Sequence, residues 1–281
     1  MAKYDLPPIR FHEDNVLFRE AVNFTAAHTG FAERLIEKDY FCTLVLAHLM
    51  PVSGGQVVFK GGTCLAKVLI DFYRLSEDLD FTIPLPVDAS RAKRSKCAAG
   101  MKTAVDSVAK MLSGFQFVQP MRGANNSTQY VGAIGYTSPI TGQAETIQIE
   151  VSLREPLLTP ILQGIARTVL LDPITDDAMV PEVTLPCISK IEALAEKFRA
   201  AMTRREVAIR DFYDIDHAVR ILGVNVRRGD LSRLVRQKLA VPGNDPLDVS
   251  LARRQELAGQ LLPRLRPVLR QRDFDAFDLD R

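Results

Sequence analysis

Two adjacent glycines in the stretch from Val57 to Ile83 have a setting that suits phosphate binding. Gly61 and Gly62 follow an apolar β-branched run and precede Thr63 and a helical pattern of apolar residues. Glycines let a ligand approach the backbone, and the first N–H groups of a helix form an anion site at its positive dipole end. The Thr63 hydroxyl can add a donor. The turn is therefore expected to hold phosphate.

Two aspartates lie in the short strand predicted at residues 78–83. Because side chains alternate along a strand, Asp78 and Asp80 share one face while Leu79 and Phe81 point into the core. Two such carboxylates raise each other's pKa unless a cation lies between them, and Mg²⁺ is held in this way together with substrate phosphates. Either motif alone is commonly a plain turn or a solvated strand face. Both in one strand–turn–helix–strand unit favour a nucleotidyl-transfer site.

These motifs resemble those of a known family. KGGTCL at residues 60–65 and RLSEDLDF at residues 74–81 are similar to segments of the AbiEii/AbiGii family, the nucleotidyltransferase-like toxins of bacterial type IV toxin–antitoxin pairs, which includes the mycobacterial nucleotidyltransferase toxins. The resemblance spans roughly residues 35–220. It implies a polymerase-β-type nucleotidyltransferase fold and adds Lys60, Arg74 and Ser76 to the nucleotide site.

A strong helical pattern begins at Ile188 and carries two further motifs. KFRAAMTR at residues 197–204 and DFYDI at residues 211–215 resemble the family's Lys-Leu-x5-Arg and Asp-x-x-Asp-Leu motifs. The match implies that Lys197 holds the triphosphate and that Asp211 lies in the catalytic centre. A further family lysine is Leu194 here, and Lys190 is the candidate substitute. Without the family, these charges are typical of a salt-bridged helix surface.

Residues 128–137 and 144–153 flank a turn at residues 138–143 and predict a β-hairpin. In its second strand, Gln148, Glu150 and Ser152 face away from the apolar side. The fold implied by the resemblance commonly adds a third carboxylate from a neighbouring strand, and Glu150 is the candidate. The alternative is a plain polar strand face.

The N-terminal part is expected to be an arm over residues 1–20 and a helix over residues 31–50. Within that helix, the segment Glu37–Tyr40 either forms an exposed salt-bridged face or lines the site. A helix over residues 90–113 is basic in its first half, which either is solvated or contacts phosphates.

The second half of the sequence contains longer connections and a basic segment. Residues 157–171 are predicted as helix or turn, and residues 173–186 as a connection between two domains. Residues 227–272 are predicted to be helical and carry 11 Lys/Arg against 4 Asp/Glu, a candidate RNA-backbone surface. The acidic end at residues 273–281 is expected to be loose.

Composition limits the class of protein. The 281 residues carry a formal net charge of +2, with an acidic first part and a basic part after residue 186. The four cysteines and four histidines form no metal-ligand spacing, so a disulfide framework or a zinc site is not expected. No apolar run approaches ~18 residues, which predicts a cytoplasmic protein without a membrane partner.

The fold prediction is α+β, with a polymerase-β-type mixed sheet and flanking helices. A nucleotidyltransferase sheet domain with N-terminal helices is expected at residues 1–186, and a helical domain that completes the active site at residues 187–281. The predicted site residues are, as catalytic groups, Asp78, Asp80, Lys197 and Asp211; as nucleotide-binding groups, Lys60, Gly61, Gly62, Thr63, Arg74, Ser76, Lys190, Arg204 and Asp214; and, as metal ligands, Asp78, Asp80 and Glu150.

The resemblance implies a toxin that transfers nucleotides from an NTP to an RNA acceptor, above all a tRNA 3′ end. The reaction would use Mg²⁺, release pyrophosphate and block translation, and a cognate antitoxin would be encoded beside the toxin. Two alternatives stay open: the same chemistry on a small molecule such as an antibiotic or on a protein hydroxyl, and a non-catalytic NTP-binding regulatory module. The basic segment at residues 227–272 argues against the small molecule. The four catalytic candidates together argue against the regulatory module.

Overall fold

The computed structural model describes residues 10–54, 56–227 and 229–280. The strands in this part of the chain are β1 Val58–Lys60, β2 Leu79–Thr82, β3 Phe115–Ala124, β4 Gln129–Thr137, β5 Ala144–Ser152, β6 Leu162–Ala166 and β7 Val183–Cys187. The α-helices are α1 Asn15–Thr29, α2 Glu33–Val52, α3 Gly61–Cys64, α4 Arg91–Met111, α5 Lys190–Thr203, α6 Ile209–Arg220, α7 Gly229–Leu239, α8 Leu251–Gly259 and α9 Gln271–Asp275.

The described strands form one mixed sheet in the order β3-β4-β5-β2-β1-β7-β6. β1 pairs antiparallel with β2, and β2 pairs parallel with β5, so the two short site strands lie in the middle of the sheet. β4 and β5 form the predicted hairpin within one residue of the expected bounds. The mixed sheet, its flanking helices and the helical second half confirm the predicted α+β class.

Helix α2 is the central helix of the first half. The predicted helix over residues 31–50 is confirmed, but nearly every residue from Leu35 to Leu46 is buried. Both interpretations of Glu37–Tyr40 are wrong, because these side chains neither are exposed nor line the cleft described below. Instead, Glu37 accepts hydrogen bonds from Ser138 and Ile140, and Lys38 pairs with Glu145 at 3.0 Å. The charges hold the β4–β5 hairpin against the helix.

The structure corrects the arm expected over residues 1–20 and the helix or turn expected at residues 157–171. Residues 1–9 of the predicted arm lie outside the described residues, but α1 begins at Asn15 because the Asp14 side chain accepts hydrogen bonds from the N–H groups of Val16 and Leu17. The predicted helix or turn at residues 157–171 contains strand β6. Its Gly164 allows close packing, since a Cβ there would lie 2.4 Å from Val68 Cγ1.

The helix after the glycine turn is shorter than predicted. Regular α-helical structure ends at Cys64, a π-helical turn covers Leu65–Leu69, and Asp71 and Phe72 have positive φ angles of 48° and 51°. In this segment the Lys67 ammonium is buried and pairs with Asp39 at 2.6 Å. A buried ion pair with a distant helix is a tertiary contact that the local apolar pattern does not encode.

The last part of the chain packs onto the rest of the fold. β7 pairs parallel with β1 and ends at Cys187, one residue past the predicted domain boundary. The C-terminal end is not loose in its described residues, because Phe274, Phe277 and Leu279 pack against the core. No helix in residues 10–54, 56–227 and 229–280 is long and apolar enough to span a membrane.

Candidate active site

A cleft of about 500 Å³ lies where β1, β2 and β5 face helix α5. Gly61, Gly62, Asp80, Glu150 and Lys197 all line it. The two glycines lie in the turn that follows β1 and begins α3, β2 supplies Asp80, β5 supplies Glu150 and α5 supplies Lys197. The structure thus brings the acidic strand and the lysine together, although they lie more than a hundred positions apart in the sequence.

The two glycines are required by close packing inside the cleft. Gly61 has a φ of +75°, and a Cβ there would lie 2.1 Å from the Asp80 Oδ2 atom. A Cβ at Gly62 would lie 2.6 Å from the Arg74 Nη2 atom and 3.4 Å from the Ser76 Oγ atom. The glycine turn therefore sits directly on Asp80 and on the RLSEDLDF segment, and any side chain would push these groups away.

Thr63 does not offer its hydroxyl to the cleft. The side chain is buried, and its hydroxyl donates a hydrogen bond to the backbone carbonyl of Asp78. The expectation that Thr63 adds a donor for phosphate is corrected, because this hydroxyl is already used to hold the start of β2. Asp78 itself does not line the cleft.

Asp80 and Glu150 form the carboxylate pair of the cleft. They are direct partners in the β2–β5 register, and their side chains point to the same face of the sheet. Burial raises the pKa of Asp80, although the positive charges of Lys60, Lys197 and Arg204 work in the opposite direction. Burial, followed by the charge of Asp80, raises the pKa of Glu150. The neighbouring cations therefore do not offset the cost of burying these two carboxylates in their charged form.

The carboxylate pair fits a cation that arrives together with substrate. No group of three or more His, Cys, Asp or Glu side chains in the described part of the chain is arranged to hold a metal ion by itself. Of the three predicted ligands, Asp80 and Glu150 line the cleft and Asp78 does not. Burial, followed by the charge of Asp80, raises the pKa of Asp78. Mg²⁺ suits such a site, because one or two carboxylates hold it and phosphates and water complete its octahedron.

Lys197 is held on the opposite wall by two aspartates of α6. Its ammonium lies 2.7 Å from the Asp211 carboxylate and 2.8 Å from that of Asp214. Burial acts to lower the pKa of Lys197, but these two charges raise it above the ordinary value. Arg204 pairs with Asp211 at 3.1 Å and also lines the cleft. This wall therefore presents two cations to a ligand at the glycine turn.

Asp214 serves as an anchor behind the cleft. It accepts hydrogen bonds from Arg74 at 2.5 and 2.9 Å and from the Tyr73 hydroxyl at 2.5 Å. Burial would raise the pKa of Asp214, but Arg74 and Lys197 hold it well below the ordinary value. Arg74 and Asp214 are both fully shielded from solvent and do not line the cleft. Their geometry fixes the position of Lys197.

Lys190 is not brought to the cleft. It lines a second pocket, of about 690 Å³, together with Lys67 and Leu162. The first turn of α5 thus faces β6, while its later turns face the carboxylates.

A buried charge network beside the cleft was missed by the sequence analysis. Lys60 pairs with Glu196 at 2.8 Å, and Glu196 pairs in turn with Lys238 at 3.1 Å. Lys238 also lies 2.7 Å from Glu192. Burial would raise the pKa of Glu196, but Lys60 and Lys238 hold it well below the ordinary range. A signal was available, since residue 238 follows Leu231 at heptad spacing and so falls on the buried side of its helix.

Further cleft residues come from two loops. Arg154 lines the cleft and donates to the Pro242 carbonyl at 2.8 Å and to the Asn244 side chain at 2.9 Å, which ties the loop after α7 to the cleft wall. Asn125, in the turn between β3 and β4, lines the cleft beside Gln129. Neither loop carries a motif that the sequence alone would single out.

Two solved structures are similar to this chain. JHP933 from Helicobacter pylori is similar to this chain with a TM-score of 0.49 and 14% identity, covering 89% of this chain and 87% of that one. A second H. pylori structure, described as a candidate nucleotidyltransferase, has the same TM-score and identity and covers 89% of this chain and 90% of its own. No curated protein sequence matches.

A family model also matches this chain. The model of the nucleotidyl transferase AbiEii toxin of type IV toxin–antitoxin systems matches residues 45–280, which is well over half of the chain. The match includes the glycine turn, the carboxylate pair and the Lys197 wall. The chain therefore belongs to the AbiEii family of nucleotidyltransferase toxins.

Proposed function

We propose that this transferase moves a nucleotide from an NTP to the 3′ end of an RNA, with tRNA as the acceptor, and so arrests translation. The observation that carries the proposal is the meeting of the glycine turn, the Asp80–Glu150 pair and Lys197 in one cleft. An anion site, a carboxylate pair and two cations in one place are the elements that phosphoryl chemistry needs.

The triphosphate is assigned to the wall between the glycine turn and α5. Backbone N–H groups that follow Gly61 can donate to phosphate oxygens, and Lys197 and Arg204 face them from across the cleft. Both cations are paired with Asp211, so an incoming phosphate competes for charges that are already oriented. We assign Asp211 the role of holding these cations in place.

Mg²⁺ is assigned to Asp80 and Glu150, with Asp78 supporting the strand behind them. A bound Mg²⁺ supplies positive charge for the triphosphate and lowers the pKa of an acceptor hydroxyl. The raised pKa values of Asp80 and Glu150 support this assignment, because the pair gains most from a cation.

The proposed transfer breaks one bond and forms another at the α-phosphorus. The acceptor hydroxyl gives up its proton to water and its oxygen attacks the α-phosphorus in line, while the oxygen that bridges the α- and β-phosphorus atoms leaves with pyrophosphate. Lys197 and Arg204 neutralise the charge that develops on the leaving group. The acceptor therefore enters from the side opposite the glycine turn.

The decisive experiment uses the full chain with each α-labelled NTP, Mg²⁺ and total tRNA, beside the variant Asp80→Ala. Label that enters tRNA in wild type and not in the variant supports the proposal. Label in the protein itself would instead indicate modification of a protein hydroxyl. Tight NTP binding without transfer to any acceptor would indicate a regulatory module.

The toxin role is tested in cells. Expression of the wild type in a bacterial host is expected to arrest growth, and Asp80→Ala is expected to relieve the arrest. We further propose that the protein acts in the cytoplasm and that an antitoxin encoded beside it counteracts it. Equal growth of both strains at equal protein levels would contradict the toxin role.

A further inference from the structure

One row of paired residues runs across five strands through the carboxylates. In register, Lys60 lies beside Asp80, Asp80 beside Glu150, Glu150 beside Val131, and Val131 beside Arg122. Paired residues point to the same face of a sheet, so all five side chains lie on the cleft face. Arg122 lies two strands, about 10 Å, beyond Glu150. The row thus has a cation at each end and the acids between them.

The sheet face around Arg122 is open. Arg122, Gln119 and Gln148 are exposed, and the last two are joined through Ala133 in the neighbouring row. Small or β-branched side chains lie between the polar ones, which leaves a flat polar surface next to the cleft. This surface lies on the side of Glu150 away from Lys60 and the glycine turn.

Positive charge is concentrated at the same sheet edge. Residues 89–144 carry 7 Lys/Arg and a single acid, Asp106. On the opposite face of the sheet, Lys102 of α4 lies 4.4 Å from the centre of the ring of Tyr130, which packs on Gly123, the residue after Arg122. Positive charge therefore borders the β3 edge from both faces. Although burial acts to raise it, hydrogen bonds from Ser127 and Ser95, followed by the charges of Lys102 and Arg91, lower the pKa of Tyr130. We call Arg91, Lys102 and Arg122 the basic edge.

The cations of the basic edge are free of ion pairs. Within the described part of the chain, none of its three cations has a carboxylate within ion-pair distance, and Arg91 and Arg122 are exposed. Several cations of residues 227–272 are already neutralised within the protein, since Lys238 is buried and Arg254 and Arg270 pair with aspartates. Arg236 and Arg264 of that segment are exposed and also lack a carboxylate within ion-pair distance among the described residues, so the position of Arg122 in the row of Glu150, rather than free charge, favours the basic edge as the polyanion surface.

A turn of unusual backbone joins the basic edge to the cleft. Asn125, Asn126 and Ser127 have consecutive positive φ angles of 50°, 56° and 61°. Non-glycine residues rarely adopt this conformation in series, and such turns cluster at binding sites. The Thr128 hydroxyl donates to the Asn125 carbonyl at 2.7 Å, and Asn125 lines the cleft. The turn presents amide groups at the point where an RNA strand that crosses the basic edge would enter the cleft.

We propose that the basic edge and the open face of β3–β5 are the docking surface for the acceptor RNA. This inference rests on the proposed function. The RNA backbone crosses the β3 edge from Arg91 and Lys102 on the α4 face to Arg122 on the cleft face, and the 3′ end passes the Asn125–Ser127 turn to reach Glu150. The entry direction agrees with in-line attack, because pyrophosphate leaves at the opposite end of the row, beside Lys60 and the glycine turn.

The test compares two double variants of the full chain with equal charge loss. Arg91→Gln with Arg122→Gln removes two cations of the basic edge, and Arg233→Gln with Arg236→Gln removes two exposed cations of α7 as the matched control. The basic-edge variant is expected to raise the KM for tRNA about tenfold and to reduce the log–log salt dependence of tRNA binding by about 1.5. The control variant and the affinity for NTP are expected to stay at wild-type values.

The outcomes separate this inference from the proposed function. If wild type labels tRNA and the basic-edge variant does so with unchanged KM and salt dependence, the docking surface is refuted while the function stands. An equal loss in the α7 control would also refute it, since binding would then follow net charge alone. A basic-edge variant that keeps its tRNA affinity but loses the co-expressed antitoxin would assign the edge to a protein partner instead.

Discussion

Lys238→Met is the sharpest test of how the helical half supports the cleft. The Lys238 side chain is fully buried, with its ammonium 2.7 Å from Glu192, 3.1 Å from Glu196 and 3.4 Å from Glu155. Methionine keeps the apolar stem and removes the charge. Glu196 retains Lys60 as a partner, but Glu192 loses the one cation with which it pairs among the described residues and keeps hydrogen bonds from residues 158 and 159.

The expected loss follows from breaking a buried ion network on one side. Removal of one partner leaves uncompensated buried charge and costs about 3–5 kcal/mol of unfolding free energy. For a chain of this size, that corresponds to a decrease in Tm of roughly 6–10 °C. The loss depends on pH, because Lys238 helps to hold the folded-state pKa of Glu196 well below the ordinary range, and removal of Lys238 raises that pKa. The deficit is then full at neutral pH, where Glu196 is charged, and decreases as pH falls into the ordinary glutamate range.

The assay is urea unfolding of wild type and Lys238→Met at neutral pH and near pH 5. Arg236→Met is the matched control, since Arg236 is an exposed cation of the same helix and its removal should change stability by less than about 0.5 kcal/mol. Equal stability of Lys238→Met and the control, or a deficit that grows as pH falls, would refute the reasoning. A destabilised but folded variant is also expected to transfer more slowly, because Glu196 orients Lys60.

Three further predictions concern the cleft. Gly61→Ala should destabilise the protein by about 1–2 kcal/mol in urea unfolding, because alanine is strained at the positive φ of this position. It should also abolish tRNA labelling, because the added Cβ displaces Asp80, and wild-type activity would contradict this packing argument. Lys197→Met should weaken NTP binding, measured by calorimetry, by about tenfold or more, whereas unchanged affinity would remove Lys197 from the triphosphate site. Because the folded pKa values of Asp80 and Glu150 are raised, these acids lose charge at higher pH than ordinary carboxylates. Mg²⁺-dependent labelling should therefore decline earlier as pH falls, and Asp80→Asn should raise the Tm of the metal-free protein at neutral pH; a lower Tm would show that Asp80 stabilises the fold.

Local sequence determined the parts of the site that depend on one segment. The glycine turn, the alternation that puts Asp80 on one face, and the β4–β5 hairpin with Glu150 are set by backbone permissiveness and by periods of two residues. The helical positions of Lys197 and Asp211 follow in the same way from a period of 3.6 residues. These features could be predicted because each one is decided within about ten residues of chain.

Tertiary structure alone decided which charges meet. Lys190 and Lys197 lie on one helix, yet the packing of α5 sends the first to a separate pocket and the second to the cleft. The Thr63 hydroxyl is taken by a carbonyl fifteen residues away, and Glu196 is fixed by a lysine from another helix. A side chain's burial and partner depend on elements that are distant in sequence, so its type and spacing do not specify them. That dependence is why local sequence could give the strand face of each acid, whereas the proximity of Asp80 and Glu150 was expected only from the family resemblance and the supporting network was not expected.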